Sequence, residues 1–136
     1  MRIRKNFILK ELIPFILREE GRGFGMGYWM EKGPIGARLS VDGIPRGIPR
    51  CGTVACIGGS VNVLAGGYEE DAAAAALGLS FRRAHTLFYG WESNWPKRFS
   101  QGYRNAHTTL GKANVVVRLL REVVRTNGKV LDTKSK

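Results

Sequence analysis

The chain has 136 residues, 43% of them hydrophobic, with 18 glycines; that length fits one domain around one core and leaves little room for a second. Twenty-two Lys/Arg against 11 Asp/Glu give a formal charge of +11, which favours polyanionic partners such as nucleic acid. No apolar run approaches the roughly 20 residues of a membrane-spanning helix, and the two cysteines are too few for a disulfide scaffold.

In chain order, the positive start Met1-Arg2-Ile3-Arg4-Lys5 is followed by an apolar run that Lys10 and Glu11 break, so it does not read as a secretory signal. A cytoplasmic protein with reduced thiols and no membrane contact is expected. Residues 6–20 read as an amphipathic helix with Asn6 as N-cap and an apolar face of Ile8, Leu9, Leu12, Ile13, Ile16 and Leu17. Pro14 should kink or divide it, and Gly21 should end it. Large residues at 24, 26 and 28 alternate with glycine, suggesting a short strand or hairpin near residues 24–30. Residues 31–50 look like loop, with Gly-Ile-Pro-Arg repeated in tandem at 43–46 and 47–50.

Thr53 is a good N-cap for a helix running to about Ala65, with Gly66-Gly67 as its stop. A second helix follows from about Glu69 to Leu77, its first turn carrying Glu69, Glu70 and Asp71 where the helix dipole favours them. Gly78 supplies a left-handed turn, and Ser80 caps a third helix from Phe81 to about Tyr89. Residues 90–103 form an aromatic-rich connector, with Trp91, Trp95, Pro96, Phe99 and Tyr103 folding onto the core. The last helix is the most regular: Ala106, Leu110, Ala113, Val117, Leu120 and Val124 recur at steps of three and four, widened by Val116, Leu119 and Val123. Asn127-Gly128 stops it, leaving residues 129–136 as a frayed basic tail after a single basic domain over 1–128. The fold class expected is mainly α, a compact domain of four or five helices with a helix-turn-helix-like corner. The Thr53, Glu69 and C-terminal helices should pack together, with Trp29, Trp91 and Trp95 filling the gaps.

That corner spans Glu70 to Phe88. Ala74, Gly78, Ala84 and Leu87 fall at the offsets a helix-turn-helix needs: a small residue at the crossing, glycine in the turn, and apolar anchors on the second helix. Arg82, Arg83, His85 and Thr86 could then face a groove. Against this, residues 69–100 carry four cations and four anions and are neutral, whereas 101–136 carry eight cations and two anions. On the last helix Arg118, Arg121 and Arg125 share one face, extended by Lys112, and could bind phosphates; Glu122 is placed to pair with Arg118.

Cys51-Gly52-Thr53-Val54-Ala55-Cys56 sits at a helix start, where backbone amides lower a thiol's pKa. A hydrolase built on Cys51 would take His85 or His107 as base and Asn94 or Asn114 as orienter. Four residues intervene between the cysteines and the histidines lie far apart, so no metal site is expected, and no cofactor.

Taken together, Phe24-x-Met26-x-x-Trp29, Cys51-Gly52-Thr53-x-Ala55-Cys56-x-x-Gly59, Leu77-Gly78-Leu79, Leu87-Phe88, Trp95-Pro96, Phe99 and Tyr103 resemble a pattern in short bacterial and phage-borne proteins of unassigned function. Gly58 and Ser60 depart from it. The resemblance implies no activity and no catalytic residue, and it implies a packing role for the Leu-Gly-Leu corner. The leading expectation is a non-enzymatic nucleic-acid-associated protein. A Cys51 hydrolase, or a structural or adaptor protein of a mobile element with a protein partner, stand as alternatives; oligomeric state is not set.

Overall fold

The first helix carries a proline in its middle, and its backbone adapts rather than breaking. A computed structural model of the chain describes residues 2–21, 30–32, 37–38, 54–55, 57–66, 70–89 and 94–132. In it, residues 5–17 are continuously helical (α1), α-helical over Lys5–Phe7, π-helical over Ile8–Leu12 and α-helical again over Ile13–Leu17. Proline has no N–H, and its ring crowds the carbonyl four residues back. The wider π turn, in which Ile13 N–H bonds the Ile8 carbonyl, relieves that crowding and lets Pro14 start the second α segment. The buried residues are Ile8, Leu12, Ile13 and Ile16, whereas Leu9 is exposed. The N-cap position belongs to Arg4, not Asn6, because Arg4 N–H is fixed by the Leu77 carbonyl at 2.9 Å. A 3-10 turn over Arg18–Gly21 ends the segment.

Three short strands follow, β1 (Met30–Lys32), β2 (Ala37–Arg38) and β3 (Val54–Ala55), in an antiparallel sheet of order β2-β1-β3. Glu31 pairs with Arg38 on one side and Val54 on the other. Of the segment expected to be extended near 24–30, Met30 lies in β1, and residues 24–29, with Trp29, lie outside the described residues. Val54 and Ala55 belong to the sheet, so the helix expected from Thr53 begins later, at Ile57. β-branched Val54 suits a ladder better than a helix start.

Helix α2 (Ile57–Ala65) ends at Gly66, φ +86°, and α3 (Glu70–Leu77) ends at Gly78, φ +74°. Next come α4 (Phe81–Tyr89), α5 (Lys97–Asn105) and α6 (Thr109–Arg125). The described residues are thus mainly helical, with six helices rather than four or five. The additional one is α5, in the stretch expected to be a connector. Pro96 is its N-cap, and it buries Phe99 and Tyr103, one turn apart. Gly102 faces α6, and a Cβ there would make ordinary contact with the Val115 side chain at 3.5 Å. Trp95 is fully buried, its Nε1–H donating to the Leu87 carbonyl at 3.0 Å while Tyr103 meets its ring edge-on at 6.0 Å. Trp91 lies outside the described residues.

Helix α6 starts at Thr109, not Ala106, because Thr108 Oγ1 accepts from Gly111 N–H at 2.9 Å and caps it. Leu110, expected on the apolar face, is exposed in this first turn. Ala113, Val116, Val117, Leu119, Leu120 and Val123 are buried. The core joins all six helices into one cluster, with α1 touching both α2 and α6. The tail expected to fray from residue 129 is docked through 132. Lys129–Asp132 forms a 3-10 turn that buries Val130 and Leu131. Residues 133–136 lie outside the described residues.

Candidate nucleic-acid interface

The α3–α4 corner is built by its turn chemistry. Leu79 N–H bonds the Ala74 carbonyl and Gly78 N–H the Ala75 carbonyl, each at 3.1 Å, the paired bonds of a helix terminated by a left-handed glycine. Ser80 then caps α4: its Oγ accepts from Arg83 N–H at 3.3 Å, and its carbonyl accepts from Ala84 N–H at 2.9 Å. Ala74, Leu77, Leu79, Ala84, Leu87 and Phe88 are all buried. The apolar offsets expected of the corner are therefore real packing positions.

The outer side of the corner is covered by the N-terminal segment. A Cβ on Gly78 would collide with the backbone carbonyl oxygen of Arg2 and stand 3.1 Å from the Arg4 side-chain stem. Ile3 is buried while Arg2 and Arg4 are exposed, an alternation typical of an extended segment laid on a surface. Ile3 N–H also reaches Asn127 Oδ1 at 3.4 Å. A shallow cleft of about 360 Å³ results, bordered by Ile3, Gly78, Ser80, Arg82, Arg83 and Asp132. Arg2 and Arg4 were not among the sequence candidates; the Arg-Ile-Arg alternation was the signal that could have found them.

The four groove-facing candidates on α4 separate. Arg83 turns toward the C-terminal turn, where its Nε and Nη2 donate to Asp132 Oδ1 and Oδ2 at 3.0 and 2.7 Å, and its Nη1 to the Asn127 carbonyl at 3.4 Å. These charge-assisted bonds raise the arginine's pKa and hold the Asp132 carboxyl below its usual range, the hydrogen bond contributing most in both cases. His85 Nδ1 lies 2.7 Å from Glu70 Oε2, and Thr86 Oγ1 donates to the Arg82 carbonyl at 3.3 Å. Arg83 and Thr86 are thus spent on the protein itself. Arg82 is exposed, and among the described residues it forms no ion pair, although its charge helps to keep Asp132 ionised.

Helix α6 divides in the same way. Arg118, Arg121 and Arg125 form one exposed stripe. Arg125, however, holds Glu122 with two bonds of 2.8 and 2.7 Å, and Arg98 approaches the same carboxylate at 3.6 Å. The Glu122–Arg118 pairing expected from the sequence is replaced, because a glutamate one turn N-terminal to its arginine is the better orientation. The Arg125 hydrogen bonds chiefly hold the Glu122 carboxyl below its usual range. Lys112 leaves the stripe, donating from Nζ to the Tyr103 carbonyl at 2.8 Å over that residue's ring. Arg118 and Arg121 carry no ion pair among the described residues.

Of the hydrolase candidates, only the histidines and asparagines lie among the described residues. Cys51 and Cys56 lie outside the described residues. His107 is exposed between α5 and α6, and the orienting place given to Asn94 or Asn114 beside His85 is taken by Glu70. Among the described residues, no group of three His, Cys, Asp or Glu could hold a metal ion, and no helix is long and apolar enough to cross a membrane. Comparison with protein-family models, curated proteins and solved structures finds no match.

Proposed function

We propose that this chain is a non-enzymatic, cytoplasmic nucleic-acid-associated protein that holds phosphates through exposed arginines, chiefly Arg2, Arg4 and Arg82, with Arg118 and Arg121 as a further contact. The observation that carries this is the Arg2-Ile3-Arg4 segment lying across the Gly78 corner. It adds cations to a stretch whose own charge sums to zero, which supports reading this corner as a phosphate-holding surface. Binding is to the phosphate backbone rather than to base edges in a duplex groove, since Arg83, Thr86 and His85 are engaged within the fold.

The test is a titration of labelled duplex and single-stranded oligonucleotides across a salt series. Binding that weakens by about 0.9 log units per log unit of salt for each neutralised duplex phosphate, or about 0.7 for single strands, supports the proposal. No binding to either form at low salt removes it.

A further inference from the structure

The outward face of α4 is aromatic as well as cationic. Phe81 and Tyr89 are 54% and 49% exposed, and His85 between them is exposed too. Their rings form a ladder: Phe81 to His85 at 5.9 Å and 29° between planes, His85 to Tyr89 at 4.9 Å and 47°. Three rings at four-residue intervals advance about 6 Å per step along a helix. Arg82 projects beside the first of them, since residues i, i+1 and i+4 share one outward sector when i+3, i+6 and i+7 (here Ala84, Leu87 and Phe88) are buried. Leu9 and Leu110, by contrast, are exposed singly on other helices. A contiguous row of exposed rings forgoes burial that the core would otherwise supply, and such rows mark contact surfaces.

We infer that the Phe81–His85–Tyr89 ladder is a stacking platform for unpaired bases, so that the ligand of the proposed phosphate-binding surface is single-stranded nucleic acid. This rests on that proposal for its charge: Arg82, Arg2 and Arg4 at the N-terminal end of α4 hold the sugar–phosphate backbone while bases lie against the rings. Duplex bases are already stacked on one another and offer the rings nothing. Single strands offer a π-face at every nucleotide, whatever the sequence. The complementarity is double, positive charge to phosphate and aromatic face to base.

The experiment compares three probes of equal length by fluorescence anisotropy at one salt concentration: oligo(dT), a duplex, and an oligonucleotide of abasic sites that keeps the phosphates and lacks the bases. Oligo(dT) should bind about tenfold or more tighter than the abasic strand, and Phe81→Ala/Tyr89→Ala should abolish most of that difference. The same double variant should leave abasic and duplex binding unchanged, which separates lost stacking from lost folding. Equal binding of oligo(dT) and the abasic strand overturns the platform while leaving the phosphate surface standing. Absence of binding to all three removes both. Concentration-dependent self-association that the double variant abolishes would assign the ladder to a protein interface instead and overturn the inference.

Discussion

Gly66 and Gly78 adopt nearly the same left-handed backbone, φ +86° and +74°, yet they do different work. A methyl on Gly66 meets nothing within 4 Å, whereas one on Gly78 meets the Arg2 carbonyl. Gly66→Ala should therefore cost only the conformational strain, about 1 kcal/mol. Gly78→Ala adds a backbone collision and should cost about 3 kcal/mol in urea unfolding, displacing the Arg2-Ile3-Arg4 segment as it does so. The turn at Gly78 is legible in the sequence, because glycine after an alanine-rich helix announces it. The partner is not, because nothing local to residue 78 points to residue 2. Asp132 presents the same contrast. Its folded pKa lies below the unfolded one, so the Arg83 contact contributes stability above about pH 3.9 and loses it as pH falls below that value. Both partners are substantially solvent-exposed, so Asp132→Asn should cost only about 0.5 kcal/mol at neutral pH. The difference between the two proteins should vanish in acid.

Among the elements, the strongly periodic ones are those the sequence makes plain. Helix α6 announces itself by the run from Ala113 to Val123, and α4 by its Ser80 cap and buried Ala84 and Leu87. Helix α5 hides because only Phe99 and Tyr103 mark its inner face and Gly102 interrupts it. Its glycine weakens helix propensity, although a Cβ there would make only ordinary contact with Val115. The start of α2 shifts because strand pairing, a nonlocal event, claims Val54 and Ala55. The C-terminal turn was hidden for a similar reason: Val130 and Leu131 are two apolar residues in a basic stretch, with no period to read. Truncation after Gly128 checks its role. If the turn is docked, losing the burial of Val130 and Leu131 should cost about 3 kcal/mol in thermal or urea unfolding; a frayed tail would cost nothing.

Across the whole molecule, charge total and charge placement prove to be separate questions. The +11 excess is visible in composition, but which cations are available is decided by folding. Arg83 and Arg125 are held by carboxylates, Lys112 by a carbonyl, and Arg82, Arg118 and Arg121 remain outward. Under the proposed function, Arg4→Ala and Arg82→Ala should each reduce the duplex salt slope by about 0.9, and Arg125→Ala should change it little. A uniform response from all three would mean that the surface acts only through net charge.

The cleft beside Gly78 also joins distant parts of the sequence: Ile3 touches Asn127 across 124 positions, and Arg83 clasps Asp132. Contacts of such separation close late, since the loop between them must first be gathered. During synthesis, Arg2 and Arg4 emerge well before Asn127 and Asp132, which complete the cleft beside them. Under the proposed function, a nascent chain would carry these cations long before it could present them as a surface, and binding would await the arrival of residues 127–132.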